Sequence, residues 1–263
     1  MSVRSTAGRR MSMRRFVIGC LAILAMLAGG AEAAELIVLS AGAVKPVVPE
    51  LVELFQQETG HTVKLTFDTV GALRKRATSE RADVLIMSDV AIDDVAKQGI
   101  VVPGTRADLA RVGVGVAVKQ GAPLPDISST EAFKRTLLAA RSIVYNDPAI
   151  GATSGIHFAA VLQRLGIADQ VKDKTLLWKG GYAAEALVTG QAEICVHQIS
   201  EILPVKGVTL VGPLPKDIQK VTVYSAGLAA KSANADAART LLAFLARPAF
   251  KPKFAAAGLD YKD

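Results

Sequence analysis

The run VGVGVAV, residues 112–118, decides how this chain is organised. It is an unbroken β-type stretch, and it closes on the turn signal Gln120-Gly121-Ala122-Pro123. A second run of the same kind, VTVYSAGLA at 221–229, appears far downstream. Between them the periodicity predicts helix 131–140, strand 142–145, helix 154–165, strand 175–178, helix 182–189 and strand 193–196. Before the first run it predicts strand 36–39, helix 47–57, strand 63–67, helix 72–79, strand 83–87 and helix 89–98. After the second run come only two helical stretches, 235–245 and 249–256, broken at Arg247-Pro248. Alternating strands and helices call for an α/β fold with parallel sheet. The order of units, crossing, units and crossing back predicts two lobes joined by two strands. Residues 34–117 with 226–263 are expected to form lobe 1, and residues 118–225 lobe 2.

The first 33 residues stand apart. Arg14 and Arg15 precede an apolar run, 16–28, and Ala31-Glu32-Ala33 offers small residues at both positions a signal peptidase reads. This is the pattern of a secretory signal peptide over 1–33, cleaved near Ala33, which implies export to the periplasm. The Arg pair lacks the rest of a twin-arginine motif, so the export route stays open. The leader carries five of the 31 Lys/Arg and one of the 24 Asp/Glu, leaving 26 basic against 23 acidic residues, a balance of +3. Those basic residues are scattered and aromatics are few, which argues against nucleic acid as a partner. Cys195 is the sole cysteine after the leader, in the apolar run Ile194-Cys195-Val196, and reads as a buried structural thiol.

One loop carries the signature of an anion cradle. DPAIGATSG, 147–155, sits between a strand and a helix and places Gly, Ser and Thr at the helix start, where backbone N–H groups are free. The GK[ST] ending of a nucleotide loop is missing, so a phosphate-loop reading fails. There is no GxSxG elbow for a serine hydrolase and no carboxylate pair suggesting a glycosidase. Three widely spaced histidines, His61, His157 and His197, form no metal motif, and neither metal nor cofactor is expected.

The runs LIVLSAGAVKPVVPELVELFQQETGHTVKLTF, ADVLIMSD, SIVYNDP with GIHFAAVLQRLG, and VTVYSAGLAAKSANADAARTLLAFL resemble, in that order and spacing, the periplasmic solute-binding proteins of ABC importers. Within them the chain is most similar to the molybdate- and tungstate-binding branch. The resemblance implies a two-lobed type II binding-protein fold that closes on a small anion, working as a monomer with an ABC permease in the inner membrane. In that branch the first two loops each supply a serine, and alignment on the flanking strands puts Ala43 and Val70 there. The branch's tyrosine falls on His197, followed by Gln198. Apolar side chains and an imidazole in place of hydroxyls favour a small di- or tricarboxylate over a tetrahedral oxyanion. The stretches QGAPLPDISSTEAFKRTL and QISEILPVKGVTLVGPLP further resemble the periplasmic aconitate isomerases, whose reaction shifts a double bond between cis- and trans-aconitate.

The ligand-binding candidates therefore fall in four loops: Ser40, Ala41, Gly42 and Ala43; Thr69, Val70 and Gly71; Thr153, Ser154 and Gly155; and Tyr182 with His197 and Gln198. His197 is the candidate base if the chain is an isomerase. Each has a plainer role available. Ser154 suits a helix cap, Asp68 and Asp147 suit Asx turns, His197 suits a buried strand edge, His61 an exposed turn, and Arg74-Lys75 a solvated helix face.

Overall fold

In the computed structural model, residues 1–2 and 33–262 are described. The leader expected over 1–33 lies almost wholly outside them. Among the described residues the strands are β1 Glu35–Ala41, β2 Thr62–Asp68, β3 Val84–Ser88, β4 Ala107–Lys119, β5 Ile143–Asn146, β6 Thr175–Trp178, β7 Ile194–Gln198, β8 Val208–Pro213 and β9 Val221–Leu228. The α-helices are α1 Val48–Thr59, α2 Val70–Ser79, α3 Asp89–Lys97, α4 Thr130–Ala139, α5 Thr153–Arg164, α6 Ala168–Val171, α7 Glu185–Val188, α8 Ile199–Ile202, α9 Ala235–Leu245 and α10 Lys251–Ala256.

The strand order is β2-β1-β3-β9-β4-β7-β5-β6, with β8 paired to β4. β4 is the pivot. Its first half pairs antiparallel with β9, Ala107 opposite Ala226 through Gly113 opposite Val221. Its second half pairs with β7, Val114 opposite Gln198, and with β8, Lys119 opposite Val208. One apolar core gathers β1, β3, β9 and helices α1, α3 and α9 around Leu36, Phe55, Ile86, Ile92 and Phe244. Another gathers β4, β5, β7, α4 and α5 around Val116, Phe133, Tyr145 and Phe158. The two-lobed α/β architecture predicted from the sequence is the one observed.

Local chemistry explains where the elements start and stop. Thr69, Ser88 and Ser129 cap α2, α3 and α4 by accepting from Ala72, Ala91 and Ala132 N–H. α1 tolerates Pro49 in its first turn and ends on Gly60 in a left-handed conformation, φ 73°. The expected helix over 182–189 shrinks to the single turn α7, because Gly180 and Gly181 hold φ of 105° and 70° just before it. β8 and the one-turn helices α6 and α8 are additions to the predicted elements. Buried Asp83 ties three segments: it accepts from Ile37 N–H at 2.8 Å and from Ser232 Oγ at 2.6 Å. His61 is half-buried rather than exposed, accepting from Ala34 N–H at 3.1 Å and stacking on Phe55. No helix among the described residues is long and apolar enough to cross a membrane.

Candidate functional site

The parallel pairs β1–β2 and β5–β7 point their C-terminal ends at one crevice, the place where open α/β sheets present their loops. A cavity of about 310 Å³ lies there. β1 delivers Ala41, Gly42 and Ala43, with Lys45 beyond them, and β2 delivers Asp68, Thr69 and Val70. β5 and the start of α5 deliver Asn146, Thr153 and Ser154. The segment before α7 delivers Gly180, Gly181 and Tyr182, and the β7–α8 junction delivers Gln198 and Glu201. At this volume the cavity stands at the small end of ligand pockets, roughly 300–1,000 Å³.

Nine of the thirteen residues singled out from sequence line this cavity: Ala41, Gly42, Ala43, Thr69, Val70, Thr153, Ser154, Tyr182 and Gln198. Four do not. Ser40 is buried within the sheet and donates to Ala41 C=O at 3.3 Å. Gly71 meets the backbone of Gly151, donating its N–H to Gly151 C=O at 3.0 Å. Gly155 packs under the Asn146 carbonyl. His197, fully buried, stands behind the cavity wall. Its Nδ1 accepts from Gln198 N–H at 2.9 Å and meets Ser154 Oγ at 3.2 Å. These partners leave the proton on Nε2, which faces Gly181 C=O at 3.4 Å. The imidazole thus ties α5, the 180–181 turn and β7 together without touching the cavity.

Polar residues near these loops hold structural partners. Asp147 makes an Asx turn, accepting from Ala149 N–H at 2.9 Å, and Asp68 accepts from Thr69 N–H at 2.8 Å while facing Arg76. Arg74 pairs with Asp94 on α3. Half-buried His157 binds Ile218 C=O through Nε2 at 2.9 Å, and burial lowers its pKa. Among the described residues no cluster of His, Cys, Asp or Glu is placed to hold a metal ion.

Three features make the cavity chemically competent. Among the described residues no side chain caps α5, because Ala152 occupies the N-cap, and its first-turn N–H groups lie at the cavity end of the helix. Among the described residues the side-chain oxygens of Asn146 and Gln198 are buried with no hydrogen-bond partner. Gln198 Nε2 donates to Tyr224 Oη at 3.2 Å, which ties β7 to β9 at the cavity wall. Lys45, the cation of the lining, holds its ammonium 5.6 Å from the Tyr182 ring and 5.9 Å from the Phe67 ring.

Glu201, with Lys45, Asn146 and Tyr224, is among the lining residues that sequence reasoning missed. It lies four residues after His197, where the chain turns from β7 into α8, and is only 9% exposed. Its carboxyl faces His197 Nδ1 at 3.6 Å. Burial pushes its pKa up, and positive charge, on Lys45 and on His197 whenever that ring is protonated, opposes the shift without overturning it. A carboxyl with a raised folded-state pKa favours the fold while protonated. That stability is full below the ordinary glutamate range and is lost as pH climbs through the raised value. Glu201→Gln is therefore expected to stabilise the protein at alkaline pH by about 1–3 kcal/mol, and to leave acid-side stability little changed. Melting curves across pH check this, and equal shifts at all pH values would contradict it.

Residues 36–260 match the family of bacterial extracellular solute-binding proteins. The chain belongs to that family. It is 35% identical over 220 residues to the aconitate isomerase of a Pseudomonas species, covering 80% of this chain and 82% of that protein. It is 28% identical over 231 residues to the molybdate-binding protein ModA of Rhodobacter capsulatus, covering 87% of this chain and 89% of that one. The periplasmic molybdate-binding protein of Azotobacter vinelandii shares the fold, with a TM-score of 0.73 over 87% of this chain and all of that one, at 20% identity.

Proposed function

We propose that this solute-binding protein takes a small di- or tricarboxylate anion into the cleft between its lobes and delivers it, in the periplasm, to an ABC permease of the inner membrane. The observation that carries this reading is the mixed lining of the cavity. Apolar Ala43 and Val70 offer a surface to a carbon skeleton, while the uncapped start of α5, Thr153, Ser154 and Lys45 offer donors to carboxylates. A tetrahedral oxyanion makes no use of the apolar wall. In this reading the leader over 1–33 is removed near Ala33, the monomer closes by hinge motion about β4 and β9, and no cofactor takes part.

The 35% identity to an aconitate isomerase supports a second reading, in which the bound acid is also turned over. An allylic proton shift needs a group that removes a proton from one carbon and returns one to another. Of the two ionisable residues at the β7–α8 junction, Glu201 faces the cavity and His197 supports it from behind. Glu201 would then handle the proton, and His197 would be a positioning residue.

Proton NMR of the purified protein with cis- or trans-aconitate in deuterium oxide separates the readings. Broadened ligand lines without turnover support the transport reading. Interconversion, or loss of the carbon-bound proton signal, makes the chain an isomerase. Unchanged spectra with both acids and with other di- and tricarboxylates overturn the carboxylate reading.

A further inference from the structure

A carboxyl in the wall of an anion cleft is a contradiction unless something neutralises it. Glu201 Oε1 lies 3.0 Å from where a β-carbon on Gly42 would stand, so the carboxyl is wedged against the first loop. Among the described residues nothing hydrogen-bonds it, the nearest ionisable side chain being His197, whose Nδ1 lies at 3.6 Å. Its other ionisable neighbours are few. Cys195 shares β7, Tyr182 and Glu185 come from the α7 side, Tyr224 from β9, Asp68 from the end of β2, and Lys45 from the turn after Gly42–Val44. The stretch 114–118 of β4 and the strand Val208–Pro213, also packed on α8, carry no ionisable side chain. Lys45 is exposed and held at the rings of Tyr182 and Phe67, and Asp68 is already engaged by Thr69 N–H and Arg76. One lysine does not balance Glu201, Glu185 and a polyvalent anion together.

We propose that Glu201 decides which anion the cleft accepts: it enters the complex as the neutral acid and donates its carboxyl O–H to a carboxylate oxygen of the ligand, so that binding takes up a proton wherever Glu201 is ionised in the free protein. The proposal rests on the carboxylate reading above. Two carboxylates confined to one desolvated space share a proton rather than both ionise. A shared proton converts repulsion into a charge-assisted O–H···O bond, among the shorter and stronger kinds. The direction of the shift at Glu201 agrees, since burial already favours its neutral form before any ligand arrives. Ligand choice follows from the same group. An acid donor rewards an anion with a carboxylate placed to receive it and disfavours cations and neutral solutes of the same size.

Calorimetric titration of the purified protein with trans-aconitate tests this between about pH 6.5 and 9, where ordinary carboxylates are fully ionised. Repeating it in buffers of different ionisation enthalpy counts protons. The expected result is no proton uptake at the acid end, rising towards one proton as the pH passes the Glu201 value, with affinity falling about tenfold per pH unit beyond it. Glu201→Gln, which keeps a donor but has no titrating proton, is expected to bind with a flat pH profile and no proton uptake. Glu201→Asp, drawn back from Gly42, is expected to bind more weakly yet keep the slope. Binding by the wild type with a flat profile and no proton uptake overturns the inference while the carboxylate reading stands. A slope that persists in Glu201→Gln assigns the proton elsewhere and also overturns it. No binding of trans-aconitate or any other carboxylate at any pH removes the carboxylate reading and this inference with it.

Discussion

Replacing Gly155 with alanine is expected to lower the melting temperature by roughly 6–12 °C and to weaken ligand binding more than tenfold. A β-carbon at this position would stand 2.0 Å from the Asn146 carbonyl oxygen and 2.9 Å from its carbon. Those atoms belong to the backbone of β5, so no rotamer change relieves the overlap. Either α5 must draw back from the sheet or β5 must bend, at a cost of about 3 kcal/mol. Both movements pull Ser154 from His197, which it meets at 3.2 Å, and shift the unpaired amide of Asn146 in the cavity wall. Gly190→Ala provides the control. Its φ is 74° but nothing stands within 4 Å of the new carbon, so it carries only the left-handed penalty of about 1 kcal/mol. Thermal unfolding followed by circular dichroism compares the two. Equal effects would mean that the α5–β5 contact does not set the cleft.

Why α5 could be placed from the sequence while its neighbour Glu201 could not is a matter of range. Helix starts are written locally: the Gly, Thr and Ser of 147–155 announce α5, although its N-cap is Ala152 and Ser154 sits inside the first turn rather than capping it. The crossing strands were legible because β4 and β9 are long apolar runs with no helical period. β8 was not, since every residue of 208–212 is half-buried and no alternation marks a face. The strand ICVHQ of β7 posed the opposite difficulty. All five of its residues are buried, so parity could not say whether His197 faced the cavity or the core behind it. Glu201, Lys45 and Tyr224 join the cavity from three segments far apart in sequence, and no local spacing announces a meeting that only the sheet order creates.

Gly71→Ala is expected to reduce ligand affinity by about 10- to 100-fold while leaving the protein as stable as before, or slightly more so. Gly71 is the second residue of α2, where alanine is favoured over glycine by roughly 0.5–1 kcal/mol. Its β-carbon would stand 2.6 Å from Gly151 Cα and 3.2 Å from Ile150 C=O, across the cleft. The same contact carries Gly71 N–H to Gly151 C=O at 3.0 Å and Thr69 Oγ1 to Ile150 C=O at 2.6 Å. Two glycines face each other there, and the approach of their backbones is what brings the Thr69–Val70 loop over Ser154. A side chain at position 71 leaves each lobe intact but holds these backbones apart, so the closed form becomes a minor species. The observed affinity then falls in proportion to the closed fraction, each tenfold being worth about 1.4 kcal/mol. Gly151 is the poorer site for the test, because its φ of 74° strains any side chain whether or not the cleft closes. Calorimetric affinity read beside the melting temperature separates closure from folding. A loss of both would mark Gly71 as a folding residue, and full affinity would mean that ligand binding does not require the two loops to meet.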